Sequence, residues 1–234
     1  MLNPDKVRID NGVTVNEKII PQSAAANKDC ASWCKKGQPM KPGVKMPKGI
    51  LGVTIHNTDD LVNVNDDAEQ YTRATWPNCN MSGVVVHYYV DDLGAWQNLA
   101  ENETAWHASD GSGTGNTGTV AIEVIMTNKN AEADQKAEDN AARLAASILF
   151  RNGLTAENLY THNHWMGRAD KIVSGASKNC PVYILPHWDY FKANVSRYIQ
   201  ALSSANNLNP SEKAYVLKIE TLKAQGYTKI EIQL

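Results

Sequence analysis

Three short apolar runs rich in β-branched residues constrain the fold of this chain more than any other feature. Each run is bounded by polar or turn-forming residues, and each has the length of a buried strand. The runs are ILGVTIH (50–56), VVVHYYV (84–90) and TVAIEVIM (119–126). The sequence therefore predicts three buried strands, and the residues at 95–99 are predicted to return from a turn at 91–94 as a hairpin partner.

Helical periodicity appears between and after these runs. Over 131–152 the apolar residues recur with the 3.6-residue period of a helix, and Gly153 stands where a helix-ending glycine is expected. A second long helix is predicted after Pro186, and a short one over 66–75. Strands that alternate with helices, together with a hairpin, predict an α/β fold with a central mixed β-sheet flanked by helices.

Two shorter segments complete the predicted domain, a flexible Gly-rich loop at 111–118 and a short strand at 158–163. By composition, residues 1–48 are predicted to be an N-terminal extension, since they hold few apolar clusters and end in Lys, Pro and Gly. Residues 49–205 carry the regular pattern of one domain. Residues 206–234 are expected to be a linker and a short tail, with too few residues to fold alone.

Charge and hydropathy argue against two classes of protein. The formal net charge is −2 and the isoelectric point is near 6.3, which disfavours a nucleic-acid binder. No apolar run approaches the roughly 18 residues that a membrane span requires. The first residues lack the basic and apolar pattern of a signal peptide, so we expect synthesis in the cytoplasm without a cleaved signal.

Cys30, Cys34 and Cys79 are predicted to be free thiols, and Cys180 is a candidate metal ligand. Cys30 and Cys34 do not have the spacing of a redox pair, and neither Cys79 nor Cys180 lies near another cysteine in the sequence. This usage fits a reducing compartment, although a disulfide remains possible.

Two histidines and one cysteine are the candidate metal ligands. His56 and His162 stand at or near the ends of predicted strands, and Cys180 follows on a later loop. Zinc is bound by neutral imidazole and thiolate, and a catalytic zinc site uses three protein ligands with one open position. The spacing alone is weak evidence, because most histidines are surface or core residues without a metal.

Several segments resemble the zinc-dependent N-acetylmuramoyl-L-alanine amidases of the type-2 class, which includes phage endolysins and the peptidoglycan recognition proteins. The resemblance covers about two thirds of the chain, and the segments occur in the family's order. They are GVTIHNTDD (52–60), HYYVDDLGAWQNLAENETAWHASDG (87–111), TVAIEVIMTN (119–128), LYTHNHW (159–165) and KNCPVYIL (178–185), and VNEKIIP (15–21) is similar to an endolysin lead-in.

The resemblance implies a role for each residue at a family position. It implies one zinc ion per chain, bound by His56, His162 and Cys180. Glu123 would take a proton from a zinc-activated water and return it to the leaving amine. Lys178 would stabilise the developing oxyanion. The non-catalytic alternatives are that Glu123 forms an ion pair with a nearby Lys or Arg and that Lys178 is a solvent-exposed charge.

The resemblance also implies that Trp106 and His107 lie at the substrate groove, although His107 is equally consistent with packing. The other tryptophans near the site are open to two interpretations, stacking on sugar rings or ordinary core packing. They are Trp76, Trp96 and Trp165. His87, in the middle of an apolar run, is interpreted as a structural histidine bonded to the backbone.

Two departures from the family pattern affect these assignments. His162 and Cys180 are farther apart than is usual, so residues 166–175 are interpreted as an insertion that can bulge outward. Because residues two apart on a strand share a face, His164 could replace His162 as ligand. Val86 stands where some members have a tyrosine that assists the bound water, which would leave that work to Glu123.

The function implied is cleavage of the bond between N-acetylmuramic acid and L-alanine in bacterial peptidoglycan. The implied setting is a phage or prophage endolysin, made in the host cytoplasm and acting on the cell wall; residues 206–234 could begin a wall-binding region. Three alternatives stay open: a non-catalytic peptidoglycan-binding module of the same fold, a cytoplasmic muropeptide-recycling amidase, and a structural domain whose histidines and cysteine are coincidental.

Overall fold

The computed structural model describes residues 1–21, 43–58, 66–79, 81, 84–166 and 179–207. Seven strands lie in these segments: β1 (Lys6–Asp10), β2 (Val13–Glu17), β3 (Gly52–Asn57), β4 (Tyr88–Val90), β5 (Ala95–Gln97), β6 (Thr119–Val124) and β7 (Leu159–Thr161). The helices are α1 (Ala68–Thr75), α2 (Thr114–Gly118), α3 (Ala131–Arg151), α4 (His162–Met166) and α5 (Trp188–Asn206), with 3₁₀ turns at Ala156–Asn158 and Leu185–His187.

All seven strands belong to one mixed sheet, in the order β1-β2-β5-β4-β6-β3-β7. The four strands β4, β6, β3 and β7 run parallel to one another, while β1 with β2 and β4 with β5 are antiparallel pairs. Parallel strands are covered on both faces, which explains why β3 is buried along its whole length. The predicted mixed sheet flanked by helices is confirmed.

The sheet has two faces with different roles, and β6 shows both. Val120, Ile122 and Val124 belong to the main core, which also holds the apolar residues of α3 and α5. Ala121 lies in a smaller cluster on the opposite face, with Tyr89 and residues of α1. We call the first the helix face and the second the site face. Alternation along each strand assigns consecutive side chains to opposite faces.

The helix that covers the sheet has clear signals at both ends. The Asn130 side chain accepts a hydrogen bond from the Ala133 amide and caps α3. At the other end Gly153 has φ +67°, and the Gly153 and Leu154 amides donate to the carbonyls of Phe150 and Leu149. This is the Schellman arrangement that the glycine predicted.

The hairpin of β1 and β2 lies inside the segment that the sequence assigned to an N-terminal extension. Its buried Val13 and Val15 join the main core, and β2 pairs in parallel with β5. Arg8 donates to the Tyr88 hydroxyl at 3.0 Å. Residues 6–17 are therefore part of the sheet, because two valines at alternate positions are enough to bury one side of a short strand.

Three local predictions differ from the structure. The segment 111–118 was expected to be a flexible loop, yet its end forms α2, because the Asp110 carboxylate accepts hydrogen bonds from the Gly115 and Asn116 amides. Of the run 84–90 only β4 is a strand. The predicted strand 158–163 ends at Thr161, and His162 begins a helix.

Cys79 is disulfide-bonded, whereas the sequence predicted free thiols. Cys180 has a buried thiol, and Cys30 and Cys34 lie outside the described residues. Sequence spacing could not show the disulfide at Cys79, because such a bond depends on how segments distant along the chain approach each other.

Among the described helices, none combines the length and the apolar character that crossing a bilayer demands. Most of the predicted linker and tail, residues 208–234, lies outside the part of the chain that the structure describes.

Candidate metal centre

The candidate ligands meet at the carboxyl edge of the sheet. His56 is the fifth residue of β3, and His162 directly follows β7, the parallel neighbour of β3. Parallel neighbours end at the same edge of a sheet, so the two imidazoles are brought together although 106 residues separate them. Cys180 lies on the segment that leads to the Leu185–His187 turn. All three side chains are buried.

The three ligand atoms lie close enough together to share one ion. His56 Nδ1 lies 3.1 Å from His162 Nδ1 and 3.8 Å from Cys180 Sγ, and all three atoms lie within 4.8 Å of one another. Two imidazole nitrogens bound to one tetrahedral zinc ion stand about 3.3 Å apart, and a nitrogen and a thiolate sulfur about 3.6 Å. The set of two nitrogens and one sulfur therefore fits zinc in both chemistry and spacing.

The structure distinguishes His162 from His164 as the second ligand. On a helix, residues two apart point in different directions, so the strand argument that kept His164 as an alternative does not apply. His164 is exposed and packs against the rings of Tyr160 and Trp165, at 5.0 and 4.7 Å between centroids. His162 is the histidine that faces His56.

Two asparagines beside the ligands fix the segment that carries Cys180. The Asn57 side-chain Oδ1 accepts a hydrogen bond from the Tyr183 backbone amide at 3.1 Å, and the backbone amide of Asn163 donates to the Cys180 carbonyl at 2.9 Å. Sequence analysis did not single out either residue. The available signal was their position, since each directly follows a candidate histidine.

His107 lies behind the cluster, against His56. It is buried, and its Nδ1 lies 3.0 Å from His56 Nε2. Burial, together with the nearby imidazoles of His87 and His162, holds the pKa of His107 well below its ordinary value of 6.5, against the opposing effect of the Gly115 and Thr119 backbone. His107 is therefore a neutral imidazole that contacts a candidate ligand.

Ser109 is a second contact to the ligands that sequence analysis missed. Its Oγ lies 3.2 Å from His162 Nε2, so it stands beside the second histidine as His107 stands beside the first. Its backbone has φ +59°, a left-handed conformation that a serine rarely adopts. A lone serine in a Gly-rich region carries no signal of such a role in the sequence.

Glu123 shares the site face with His56. The two residues are direct partners in the parallel register of β3 and β6, and Tyr89 is the partner of Glu123 on β4. Direct partners in neighbouring strands, about 4.8 Å apart, point their side chains to the same face. Glu123 is half-buried, so its carboxylate lies on the site face without being sealed in the core.

Lys178 lies outside the described residues, so its predicted role as an oxyanion-stabilising residue stays a prediction. Trp106 is half-buried and packs with Val85 and Leu99, and the groove role assigned to it from the resemblance also stays a prediction.

The remaining tryptophans near the site pack into the protein. Trp76 packs against the cluster of Trp106, Trp96 belongs to the site-face cluster, and the buried Trp165 donates from Nε1 to Thr54 Oγ1 at 2.9 Å. These contacts favour the packing interpretation over sugar stacking.

His87 has the structural role that its place in the sequence predicted. Its Nε2 donates to the Glu103 carbonyl at 2.8 Å, and its Nδ1 accepts from the Ala121 amide at 2.9 Å. Both ring nitrogens are thus engaged by the backbone. Burial lowers the pKa of His87 to about 4.

Comparison with known proteins agrees with this geometry. A family model described as N-acetylmuramoyl-L-alanine amidase matches residues 46–182, more than half of the chain. The N-acetylmuramoyl-L-alanine amidase XlyA of Bacillus subtilis (strain 168) is 34% identical over 157 residues, which cover 66% of this chain and 46% of that protein. The chain spans about half the length of the curated relatives it matches.

Two solved structures extend the likeness to the fold. The catalytic domain of XlyA superposes with a TM-score of 0.58 at 29% identity, covering 77% of this chain and 98% of that one. A mutant endolysin from Bacillus subtilis superposes with a TM-score of 0.59 at 30% identity, covering 78% of this chain and 99% of that one. By the family match and by the fold, this chain belongs to the N-acetylmuramoyl-L-alanine amidase family.

Proposed function

We propose that this chain hydrolyses the amide bond between N-acetylmuramic acid and L-alanine in bacterial peptidoglycan, with a zinc ion held by His56, His162 and Cys180. The observation that carries the proposal is the buried cluster of two imidazole nitrogens and one thiol sulfur at the carboxyl edge of the sheet. Three protein ligands are the number that catalytic zinc sites use.

An amide is a stable bond, so its hydrolysis needs an activated water, a polarised carbonyl and a proton for the leaving amine. A zinc ion in this cluster would supply Lewis acidity for the first two. The chain itself supplies the ligands and holds them in place through Asn57 and Asn163, which anchor the Cys180 segment.

Glu123 is proposed as the group that moves the proton. It would accept a proton from the attacking water and return it to the amine that leaves. Its support is the register that makes it the direct neighbour of His56 on the site face, and its half-buried position. Lys178 is proposed, from the family resemblance, to stabilise the negative charge that develops on the carbonyl oxygen.

The proposed setting is a phage or prophage endolysin that degrades the host cell wall. The likeness to an endolysin structure at 30% identity supports it. The presence of Cys180 together with both histidines favours an enzyme over a non-catalytic binding module, because a binding module has no need for a complete metal-ligand set.

The test is a digest of purified cell walls, with the new chemical ends identified. We expect free L-alanine amino groups without new reducing sugars, and about one zinc ion per chain by elemental analysis. Cys180→Ser should lose both zinc and activity, whereas His187→Gln, at an exposed histidine that pairs with Glu138, should keep both. Full hydrolysis by metal-free protein would refute the zinc mechanism.

The same assay, run in parallel on purified cell walls and on small soluble muropeptides, separates the alternatives. Activity only on small soluble muropeptides would indicate a recycling amidase. Binding to walls without hydrolysis would indicate a recognition module.

A further inference from the structure

We infer that His107 and Ser109, which we call the orienting turn, are positioning residues that set both candidate zinc histidines with Nδ1 toward the metal. The inference rests on the proposed function for the identity of the metal. The assignment of the two residues comes from contacts in the protein itself.

The first contact concerns the tautomer of His56. If His56 binds a metal through Nδ1, the proton of its neutral ring is on Nε2, and that N–H needs an acceptor inside the protein. The atom in place is His107 Nδ1, 3.0 Å away. His107 then carries its own proton on Nε2, an atom that is buried and makes no hydrogen bond of normal geometry with the described residues.

The second contact, between Ser109 and His162, provides a partner for the outer nitrogen of His162 in the same way. Its Nδ1 faces His56 Nδ1, and its Nε2 lies 3.2 Å from Ser109 Oγ. A hydroxyl oxygen can accept from the ring N–H. Both outer nitrogens are thus met by side chains two residues apart on one turn, so a single piece of backbone orients two ligands that come from different elements, His56 from β3 and His162 from α4.

Hydrogen bonds to Asn116 and close packing against α2 fix the position of the orienting turn. Asn116 Oδ1 accepts hydrogen bonds from the backbone amides of His107 and Ala108, both at 2.8 Å. Helix α2 lies directly against the turn: a methyl group built on Gly115 would stand 2.4 Å from Ala108 Cβ. The left-handed backbone of Ser109 is an unfavourable conformation for serine, and these surrounding contacts hold it.

The inference separates two roles that a buried histidine could have. As packing, His107 could be replaced by an apolar side chain of similar size. As a positioning residue, it requires an acceptor at the place of Nδ1. Asn can supply that acceptor, because its Oδ1 occupies nearly the position of His Nδ1, whereas Leu cannot.

The first readout is zinc affinity, measured by competition with a chromogenic chelator on the full chain. Loss of an outer partner typically weakens metal affinity by about 10-fold to 100-fold. We expect such a loss for His107→Leu, recovery of most of it in His107→Asn, and a loss for the exposed Ser109→Ala. The matched controls are His187→Leu and Ser196→Ala on the surface of the helix layer, which should bind zinc as the wild type does.

The second readout is the tautomer of His56 in the metal-free chain, from ¹⁵N chemical shifts. We expect the His56 proton on Nε2 in the wild type and in His107→Asn, with His56 Nδ1 accepting from His162 Nδ1, and a mixture of tautomers at His56 in His107→Leu. This measurement needs no zinc and no activity. It therefore tests the orienting turn even if the proposed hydrolysis fails.

Two results would overturn the inference. One is a folded His107→Leu protein, by circular dichroism, with wild-type zinc affinity and wild-type tautomers. The other is a wild-type His56 with its proton on Nδ1. If His107→Leu fails to fold, His107→Asn still tests the contact with His56, and Ser109→Ala still tests the contact with His162.

Discussion

The buried His87 makes the stability of this protein depend on pH in a direction and size that can be calculated. Burial lowers its pKa to about 4 in the folded chain, against an ordinary value of 6.5. Between these values the unfolded chain binds a proton that the folded chain does not, so the free energy of unfolding falls as pH falls. The folded protein keeps the full contribution of the neutral ring above pH 6.5.

The size follows from the difference of about 2.5 between the two pKa values. At 1.36 kcal/mol per pKa unit, the loss reaches about 2 kcal/mol at pH 5 and about 3 kcal/mol at pH 4. His87→Gln removes the titrating group. It also costs about 1–3 kcal/mol at pH 7.5, because the Ala121 amide loses its acceptor inside the core.

The assay is urea denaturation of the wild type and His87→Gln, with chelator present, from pH 7.5 to pH 4. We expect the stability gap between the two proteins to shrink by about 2 kcal/mol at pH 5 relative to pH 7.5. His187→Gln is the control for replacement of a histidine as such, and it should keep the wild-type pH dependence because His87 is retained. A gap that stays constant over this range would refute the reasoning.

Three further perturbations test the fold. Gly115→Ala should lower the unfolding free energy by about 1–3 kcal/mol in urea denaturation, and weaken zinc binding, because the new methyl group would overlap Ala108. Leu144→Ala, in the main core, should cost about 2–5 kcal/mol and lower the thermal midpoint. Arg151→Met should cost about 2 kcal/mol at pH 7. Burial raises the pKa of Glu101, but hydrogen bonds from Arg151 and Tyr88 bring it below its ordinary value, so this cost should vanish in acid once Glu101 is protonated.

The elements that the sequence predicted well are those whose signal lies within a few consecutive residues. Helix α3 has its apolar period within the element, and its Asn130 cap and the Gly153 that ends it lie within two residues of its ends. The β-branched run that became β3 is buried along its whole length. In both cases local pattern and tertiary burial agree, and such agreement is typical of natural sequences.

The elements that the sequence missed depend on distant partners. A Gly-rich segment became α2 because Asp110 caps its first turn. The hairpin of β1 and β2 entered the sheet because β5 was there to pair with it. The disulfide at Cys79 had no signal in the spacing of the cysteines. Each outcome depends on a contact that forms only when the chain is folded.

The candidate site shows the same division. His56, His162 and Cys180 were candidate ligands by residue type and position, the family resemblance implied the same set, and the structure brings them together. The contacts of His107 and Ser109 with the ligand rings had no sequence signal, because a hydrogen bond to a ring nitrogen depends on orientation. The choice between His162 and His164 also needed the structure, since it turned on whether the chain is a strand or a helix at that point.

Because side chains alternate between the two faces along β6, both the packing of the core and the position of Glu123 depend on the pairing register of this strand. Ile122 and Val124 fill the helix face, while Glu123 between them points to the site face beside His56. A slip of one residue in pairing would exchange the two faces, placing a carboxylate in the apolar core and a branched apolar side chain beside the candidate metal ligands. Chains that misalign at this strand would thus be unstable and would also lack the carboxylate beside His56, so quality-control proteases that remove unstable chains would also remove those with an altered candidate site.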